Sequence, residues 1–162
     1  MQKKFKCIPL DKIYFTQFFG ESPEFYKKYL LKGHPGLDFR TKFKDTPLGY
    51  RDVYAVDDGV IEKVVIAEKG GYGTYIKIRH DDQSMTIYGH QLIIKGKEGQ
   101  RVFAGDKIGL TGDTGDSTGP HLHLGYQPAT IEKANGYNGY VDPYPFMPLP
   151  ARADFVGCGA SE

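Results

Sequence analysis

His34 and Asp38 close the stretch HPGLD (34–38), and His121 and His123 stand two apart in GPHLHLG (119–125). Imidazoles and carboxylates hold divalent metals and pass protons near neutral pH. The chain has five histidines, and three of them fall in these two stretches. Side chains along a strand alternate faces, so His121 and His123 share one face while Leu122 and Leu124 anchor the other in a core. The plain alternative is a half-buried strand with two solvent-facing histidines.

HPGLD needs a bend to do chemistry. Fully extended, His34 and Asp38 would stand about 13 Å apart at Cα, too far to share an ion whose ligands lie at about 2 Å. Pro35 cannot donate to a ladder and Gly36 can take backbone angles that other residues avoid, so the two ends can converge. Leu37 and Phe39 flank Asp38 as strand-like core residues. The plain alternative here is a Pro-Gly turn with incidental polar neighbours.

Two imidazole nitrogens and one carboxylate oxygen suit zinc, and three protein ligands leave a position open, which marks a catalytic rather than a structural site. Zinc acidifies water and polarises a carbonyl. Amide hydrolysis also needs one proton taken and one delivered, and histidine suits both tasks. His90 follows Gly89 at the end of MTIYGH (85–90). His90 and whichever of His121 and His123 does not ligate are the acid/base candidates. His80, beside a turn and two acids, reads as structural or solvent-facing.

These residues need elements to position them. VYAV (53–56), GVIEKVVIA (59–67), TYIKIRH (74–80), MTIYGH (85–90), DKIGLTG (106–112) and HLHLGYQ (121–127) read as strands. DDG (57–59), EKGGYG (68–73) and DDQ (81–83) read as turns. The spacing predicts a mainly β fold built on an antiparallel sheet. A short N-terminal helix is expected in ESPEFYKKYLLKG, with Ser22 as cap, Pro23 in the first turn and Gly33 as stop. A second short helix is expected around IEKAN (131–135).

At 162 residues the chain is expected to be a single domain over 1–162. Twenty-one Lys and Arg against 20 Asp and Glu leave a net charge of +1. That balance argues against nucleic-acid binding, which needs a basic stripe, and offers a membrane no electrostatic grip. No run approaches the ~20 apolar residues of a membrane span, and the N-terminus lacks the apolar run of a secretory leader. Cys7 and Cys158 either staple the ends or stay as free thiols. The 12 tyrosines include candidates for lining a groove.

H-x-x-x-D, a later Y-x-H and a final G-P-H-L-H together resemble the lysostaphin-like, or LytM-type, zinc metallopeptidases of the M23 family. GYGTYIKIRHDDQSMTIYGH (71–90) is similar to that family's central hairpin, and GQRVFAGDKIGLTGDTGDSTGPHLHLGY (99–126) to its last strands and loop. VDPYPF (141–146) is similar to its closing Val-Asp-Pro. The likeness covers about 12–148, leaving 1–11 and 149–162 as extensions.

The resemblance implies a groove-bearing antiparallel β-sheet with long loops. It also implies one zinc held by His34, Asp38 and His123, with His90 and His121 as catalytic histidines. Which of these two is the base stays open. The implied reaction is hydrolysis of peptide bonds in bacterial peptidoglycan, in stem-peptide cross-links or bridges. Family members often place an oxyanion-stabilising Tyr upstream of the first ligand, where Tyr26 and Tyr29 stand. Ser117, Thr118 and the Gly70–Gly73 loop with Tyr72 are candidates for binding an extended peptide. The expected partner is a peptidoglycan peptide, with no nucleic acid, no membrane insertion and a monomeric chain. The site of action would be the cell wall, reached by phage delivery or after loss of a leader.

The alternative of another class is a non-catalytic module that binds peptidoglycan or activates another hydrolase. VFAGDKIG (102–109) is also similar to the strand motif of biotinyl and lipoyl carriers. Lys107 falls inside an expected strand rather than at a hairpin tip, so shared β-architecture accounts for that likeness.

Overall fold

A computed structural model describes residues 3–66 and 69–149. Cys158, residues 150–162, the end of the strand expected at 67 and the start of the turn expected at 68 lie outside the described residues. In chain order the elements are β1 (Phe15–Gln17), α1 (Pro23–Tyr26), β2 (Leu37–Arg40), β3 (Asp52–Tyr54), β4 (Gly59–Val65) and β5 (Tyr75–His80). They continue with β6 (Met85–Gly89), β7 (Gln91–Ile94), β8 (Arg101–Val102), β9 (Lys107–Thr111) and β10 (His121–Gln127).

Seven strands form one sheet in the order β1-β2-β10-β6-β5-β4-β8, and β3-β9-β7 form a smaller one. Every pairing is antiparallel. This is the mainly β architecture expected from the turn spacing.

Alternation decides which side of the large sheet becomes core. Leu37, Phe39, Ile76, Ile78, Tyr88, Leu122 and Leu124 are fully buried and meet Val53 and Ile108 of the smaller sheet. Burial of each such side chain is worth about 1.5–3 kcal/mol. The alternate positions, Asp38, Gly89, His121, His123 and Gly125, must then face the other way. The register sets Asp38 opposite His123 on one side of β10 and Gly89 opposite His123 on the other. A central strand thus carries the HLH motif, braced by neighbours on both edges.

The helical insert differs from expectation. Ser22 does not cap: its φ is +54° with no side-chain cap bond, and its hydroxyl instead accepts from Gln17 Nε2 at 2.9 Å. Pro23 opens the helix as expected, but α1 lasts one turn and passes into a 3-10 turn at Lys27–Tyr29. Leu30, at φ +60°, ends it ahead of Gly33. So short a helix gains little from its own hydrogen bonds. Gly33 serves packing instead, since a Cβ there would fall 2.3 Å from the Gly20 carbonyl oxygen.

The helix expected at 131–135 is a 3-10 turn, Lys133–Asn135. The strand expected at 53–56 lies at Asp52–Tyr54. Ala55 and Val56 stay buried, but their backbone bonds go to Gly105, Asp106, Lys6 and Cys7. His80 is buried rather than solvent-facing: its Nδ1 meets the Asp58 carbonyl at 2.9 Å and its Nε2 meets Thr86 Oγ1 at 2.8 Å.

Candidate metal centre

The Pro35–Gly36 bend brings His34 to the start of β2. His34 Nε2 lies 3.0 Å from Asp38 Oδ1 and 3.0 Å from His123 Nδ1, and His123 Nδ1 lies 3.0 Å from Asp38 Oδ1. Three donor atoms from three buried residues thus form a nearly equilateral triangle. Ligands about 2 Å from a tetrahedral ion would stand about 3.3 Å from one another, so the triangle has close to the size that one zinc requires.

Protonation favours the same use. Burial alone would raise the Asp38 carboxyl, but the His123 and His34 imidazoles packed against it outweigh burial and hold Asp38 well below the usual carboxylate range. Burial pushes His123 below the ordinary imidazole value. One carboxylate and neutral imidazole is the form that binds a dication.

Backbone carbonyls set the tautomers. His34 Nδ1 faces the Phe18 carbonyl at 3.2 Å, His90 Nδ1 that of Thr114 at 2.7 Å, and His121 Nδ1 that of Gly119 at 2.8 Å. Each Nδ1–H donates to its carbonyl, so each Nε2 keeps its lone pair for the site. His123 is reversed: its Nδ1 belongs to the triangle, and its buried Nε2 has no partner.

His90 and His121 stand beside the triangle. Their ring centroids are 4.5 Å apart, and His121 Nε2 is 3.5 Å from Asp38 Oδ2. His90 adopts φ +58°, a left-handed conformation uncommon outside glycine. Its amide donates to the Tyr72 carbonyl at 2.8 Å, and its carbonyl accepts from Gly112 at 3.1 Å. Burial first, then the charges of His121 and His123, push His90 down to about 4.

The remaining expected residues take varied places. The Tyr26 ring lies 5.4 Å from His34 and the Tyr72 ring 5.1 Å from His123. Burial raises both phenols. Tyr29 has a buried hydroxyl without a partner. Tyr26, Tyr29, Tyr72 and His90 line a cavity of about 490 Å³ on one side of the triangle. Thr118 and His121 line a second hollow, of about 400 Å³, with Asp38, Gln17 and Arg40. Ser117 Oγ turns into its own loop, 2.8 Å from the Gly119 carbonyl and 3.2 Å from His121 Nδ1.

The orienting carbonyls of Phe18, Thr114 and Gly119 left no mark in the sequence, because any residue supplies a carbonyl. Gly36 did leave one, as the Gly of Pro-Gly, but it does not adopt the left-handed φ that glycine allows, and its packing role shows only in three dimensions. A Cβ there would fall 2.4 Å from the Leu124 carbonyl oxygen and 2.7 Å from His123 Cε1.

Comparison with known proteins adds an independent line. The model of peptidase family M23 matches residues 32–141. Over 129 residues the chain is 38% identical to the peptidoglycan DD-endopeptidase ShyB of Vibrio cholerae, covering 76% of this chain and 28% of ShyB. Over 90 residues it is 42% identical to the DD-carboxypeptidase/endopeptidase Mpg of Neisseria meningitidis, covering 56% of this chain and 19% of Mpg. Among solved structures, a zinc-containing peptidase from Vibrio cholerae superposes with TM-score 0.67 at 31% identity, over 87% of this chain and 39% of that one. The catalytic domain of lysostaphin from Staphylococcus simulans gives 0.60 at 26% identity, over 88% of this chain and 91% of that one. The chain spans less than a third of the length of the curated relatives it matches.

Proposed function

The chain belongs to peptidase family M23, and on that premise we propose that it is a zinc-dependent endopeptidase hydrolysing peptide bonds of bacterial peptidoglycan. The observation that carries this reading is the triangle of His34, Asp38 and His123 with two further imidazoles, His90 and His121, beside it. The similarity to ShyB, a peptidoglycan DD-endopeptidase, and to Mpg, a DD-carboxypeptidase/endopeptidase, supports the substrate class.

In this reading one zinc is held by His34 Nε2, Asp38 and His123 Nδ1. When bound, zinc supplies Lewis acidity that polarises the scissile carbonyl and acidifies water. The chain's own residues move the protons. His90 Nε2 and His121 Nε2 carry lone pairs, and their rings are adjacent, so one takes the proton of the attacking water. That same proton, shared with the adjacent ring, lets the protonated imidazole steady the developing oxyanion and then passes to the leaving nitrogen. Thr114 and Gly119 act through their carbonyls, which keep each Nδ1 protonated and each ring in place. Tyr26, whose ring lies 5.4 Å from His34, and Tyr29 are the phenols proposed to donate to the oxyanion. The two hollows accept the peptide on either side of the bond.

The partner is a peptidoglycan peptide and the site of action the cell wall, with the chain working as a monomer. No helix among the described residues is long and apolar enough to cross a membrane. A purely binding module would have no use for five converging polar side chains.

The test is digestion of purified peptidoglycans of differing cross-link type by zinc-loaded protein, with mass analysis of the fragments. Fragments ending at a cleaved peptide bond are expected. Release with every peptide bond intact, or no release from any wall type, would overturn the proposal.

A further inference from the structure

His90 keeps a left-handed backbone, φ +58°, and such a conformation persists only where the surroundings impose it. Two loops impose it here. Residues 70–74 lead into β5. The Tyr72 carbonyl accepts from the His90 amide at 2.8 Å, and the Thr74 carbonyl accepts from the Gln91 amide at 2.9 Å. Residues 112–116 follow β9. The Gly112 amide donates to the His90 carbonyl at 3.1 Å, and the Thr114 carbonyl accepts from His90 Nδ1 at 2.7 Å. Both loops hold the His90 backbone, and the second also holds its ring.

The two loops are themselves joined, and a hydroxyl does much of the joining. Thr114 Oγ1 accepts from the Thr74 amide at 3.0 Å and donates to the Gln91 carbonyl at 2.8 Å. Its donor and its acceptor thus tie its own loop to the lead into β5 and to the first residue of β7, next to His90. The Asp116 amide adds a bond to the Gly71 carbonyl at 3.0 Å. The crossing leaves no room for side chains. A Cβ on Gly73 would fall 2.4 Å from the Thr114 carbonyl carbon, and one on Gly115 would fall 2.4 Å from the Gly73 nitrogen. Both residues also need positive φ, +65° and +77°, so glycine meets both demands.

From this junction we infer that Thr114 is a positioning residue of the reaction and that it works through its hydroxyl. By pinning residue 114 to the backbone of residues 74 and 91, the hydroxyl fixes the carbonyl that orients the His90 ring. The inference rests on the endopeptidase reading above. A threonine that served the fold alone could bond anywhere in it. This one bonds to the residue that follows His90 and carries the His90 acceptor on its own carbonyl.

His121 is held differently. Its Nδ1 meets the Gly119 carbonyl at 2.8 Å, and the nearby Ser117 Oγ, 3.2 Å from the same nitrogen, donates to that same carbonyl at 2.8 Å. These bonds stay within one stretch of chain. A Cβ on Gly119 would meet nothing within 4 Å, so that part of the loop stands open. Of the two adjacent rings, one is set by an interlocked junction and the other by a single open loop. A misplacement of about 1 Å can cost about 100-fold in rate, so the clamp on His90 has a kinetic value beyond its worth to the fold.

The test compares Thr114→Val, which keeps the branched shape and removes both hydroxyl bonds, with Thr114→Ser, which keeps the hydroxyl. On a soluble cross-linked stem peptide, zinc-loaded Thr114→Val should lose about 10- to 100-fold in kcat, with KM and zinc affinity within about threefold of wild type. Thr114→Ser should stay near wild type. A second readout needs no catalysis. In zinc-loaded, isotope-labelled protein the NMR signal of the His90 Nδ1–H should be sharp in wild type and in Thr114→Ser, and broadened by exchange with water in Thr114→Val. A purely structural threonine would lower the unfolding midpoint of Thr114→Val and leave kcat and the ring signal of its folded fraction unchanged. That result, or Thr114→Ser losing as much kcat as Thr114→Val, would overturn the inference. Should Thr114→Val not fold, the wild-type ring signals decide: a His90 Nδ1–H sharper than that of His121 supports the clamp, and one equally broadened overturns it. If wild type cuts no peptide, the endopeptidase reading fails, and the ring signals still decide whether the hydroxyl holds His90.

Discussion

Gly36→Ala should strip the metal site without touching a ligand. The added Cβ would lie 2.4 Å from the Leu124 carbonyl oxygen, 2.7 Å from His123 Cε1 and 2.9 Å from His123 Nε2. An ordinary C···O contact is about 3.3 Å, so something must move by nearly 1 Å. Leu124 cannot yield readily, because β10 is paired on both edges and the Leu124 side chain is fully buried. The Pro35–Gly36 bend or the His123 ring must shift instead. Metal sites tolerate about 0.2 Å in ligand distance, and disturbing the supports of a ligand typically costs 10- to 100-fold in affinity. Zinc affinity should therefore fall by about 10- to 100-fold, and the metal-free fold should lose about 1–3 kcal/mol from overpacking. Competition with a chromophoric chelator measures the first, and urea unfolding of the metal-free protein the second. Gly119→Ala is the control, since a Cβ there meets nothing within 4 Å. A folded Gly36→Ala protein binding zinc within about threefold of wild type would refute the reasoning.

The other histidines separate by assay. His123→Ala or Asp38→Ala should lose both zinc and wall digestion, whereas His121→Ala should keep zinc within a few-fold and lose about 10²- to 10⁴-fold in rate. Metal analysis beside a turbidity assay distinguishes them, and normal digestion by the His121 variant would end its assignment. Zinc at 100 times its Kd should add about 2.7 kcal/mol to stability, and chelation should remove it; a melting temperature indifferent to chelator would count against a folded-state metal site. Burial holds His80 below its ordinary value, so the folded state keeps it neutral while the unfolded chain gains a proton below about pH 6.5. Its stability contribution is complete above that pH and is lost as pH falls toward the depressed folded value, by up to about 1.4 kcal/mol per unit. Urea midpoints at pH 7.5, 6.5 and 5.5 should show a shallower acid loss in His80→Gln than in wild type.

The HLH strand was legible in the sequence to its ends, 121–127, because two leucines alternating with two histidines fit one period only. The Pro-Gly bend and the harvest of polar groups on one face were legible for the same local reason. The insert at 22–31 was not. Its helix signals at Ser22, Pro23 and Gly33 are local, while its path is set by distant contacts, such as the Lys32 amide donating to the Gly136 carbonyl at 2.9 Å. The two-residue β8 escaped notice because so short a run carries no alternation.

Residue types and spacing determined on their own that imidazoles and a carboxylate would share one face of a β protein. Only the tertiary structure decided which atoms meet. Antiparallel register put Asp38 opposite His123 across a gap of 85 positions in sequence. Three carbonyls from two loops, Phe18 ahead of α1 and Thr114 and Gly119 between β9 and β10, then fixed the Nδ1 side of His34, His90 and His121. Register and carbonyl direction belong to the packed backbone, and no side-chain alphabet encodes them.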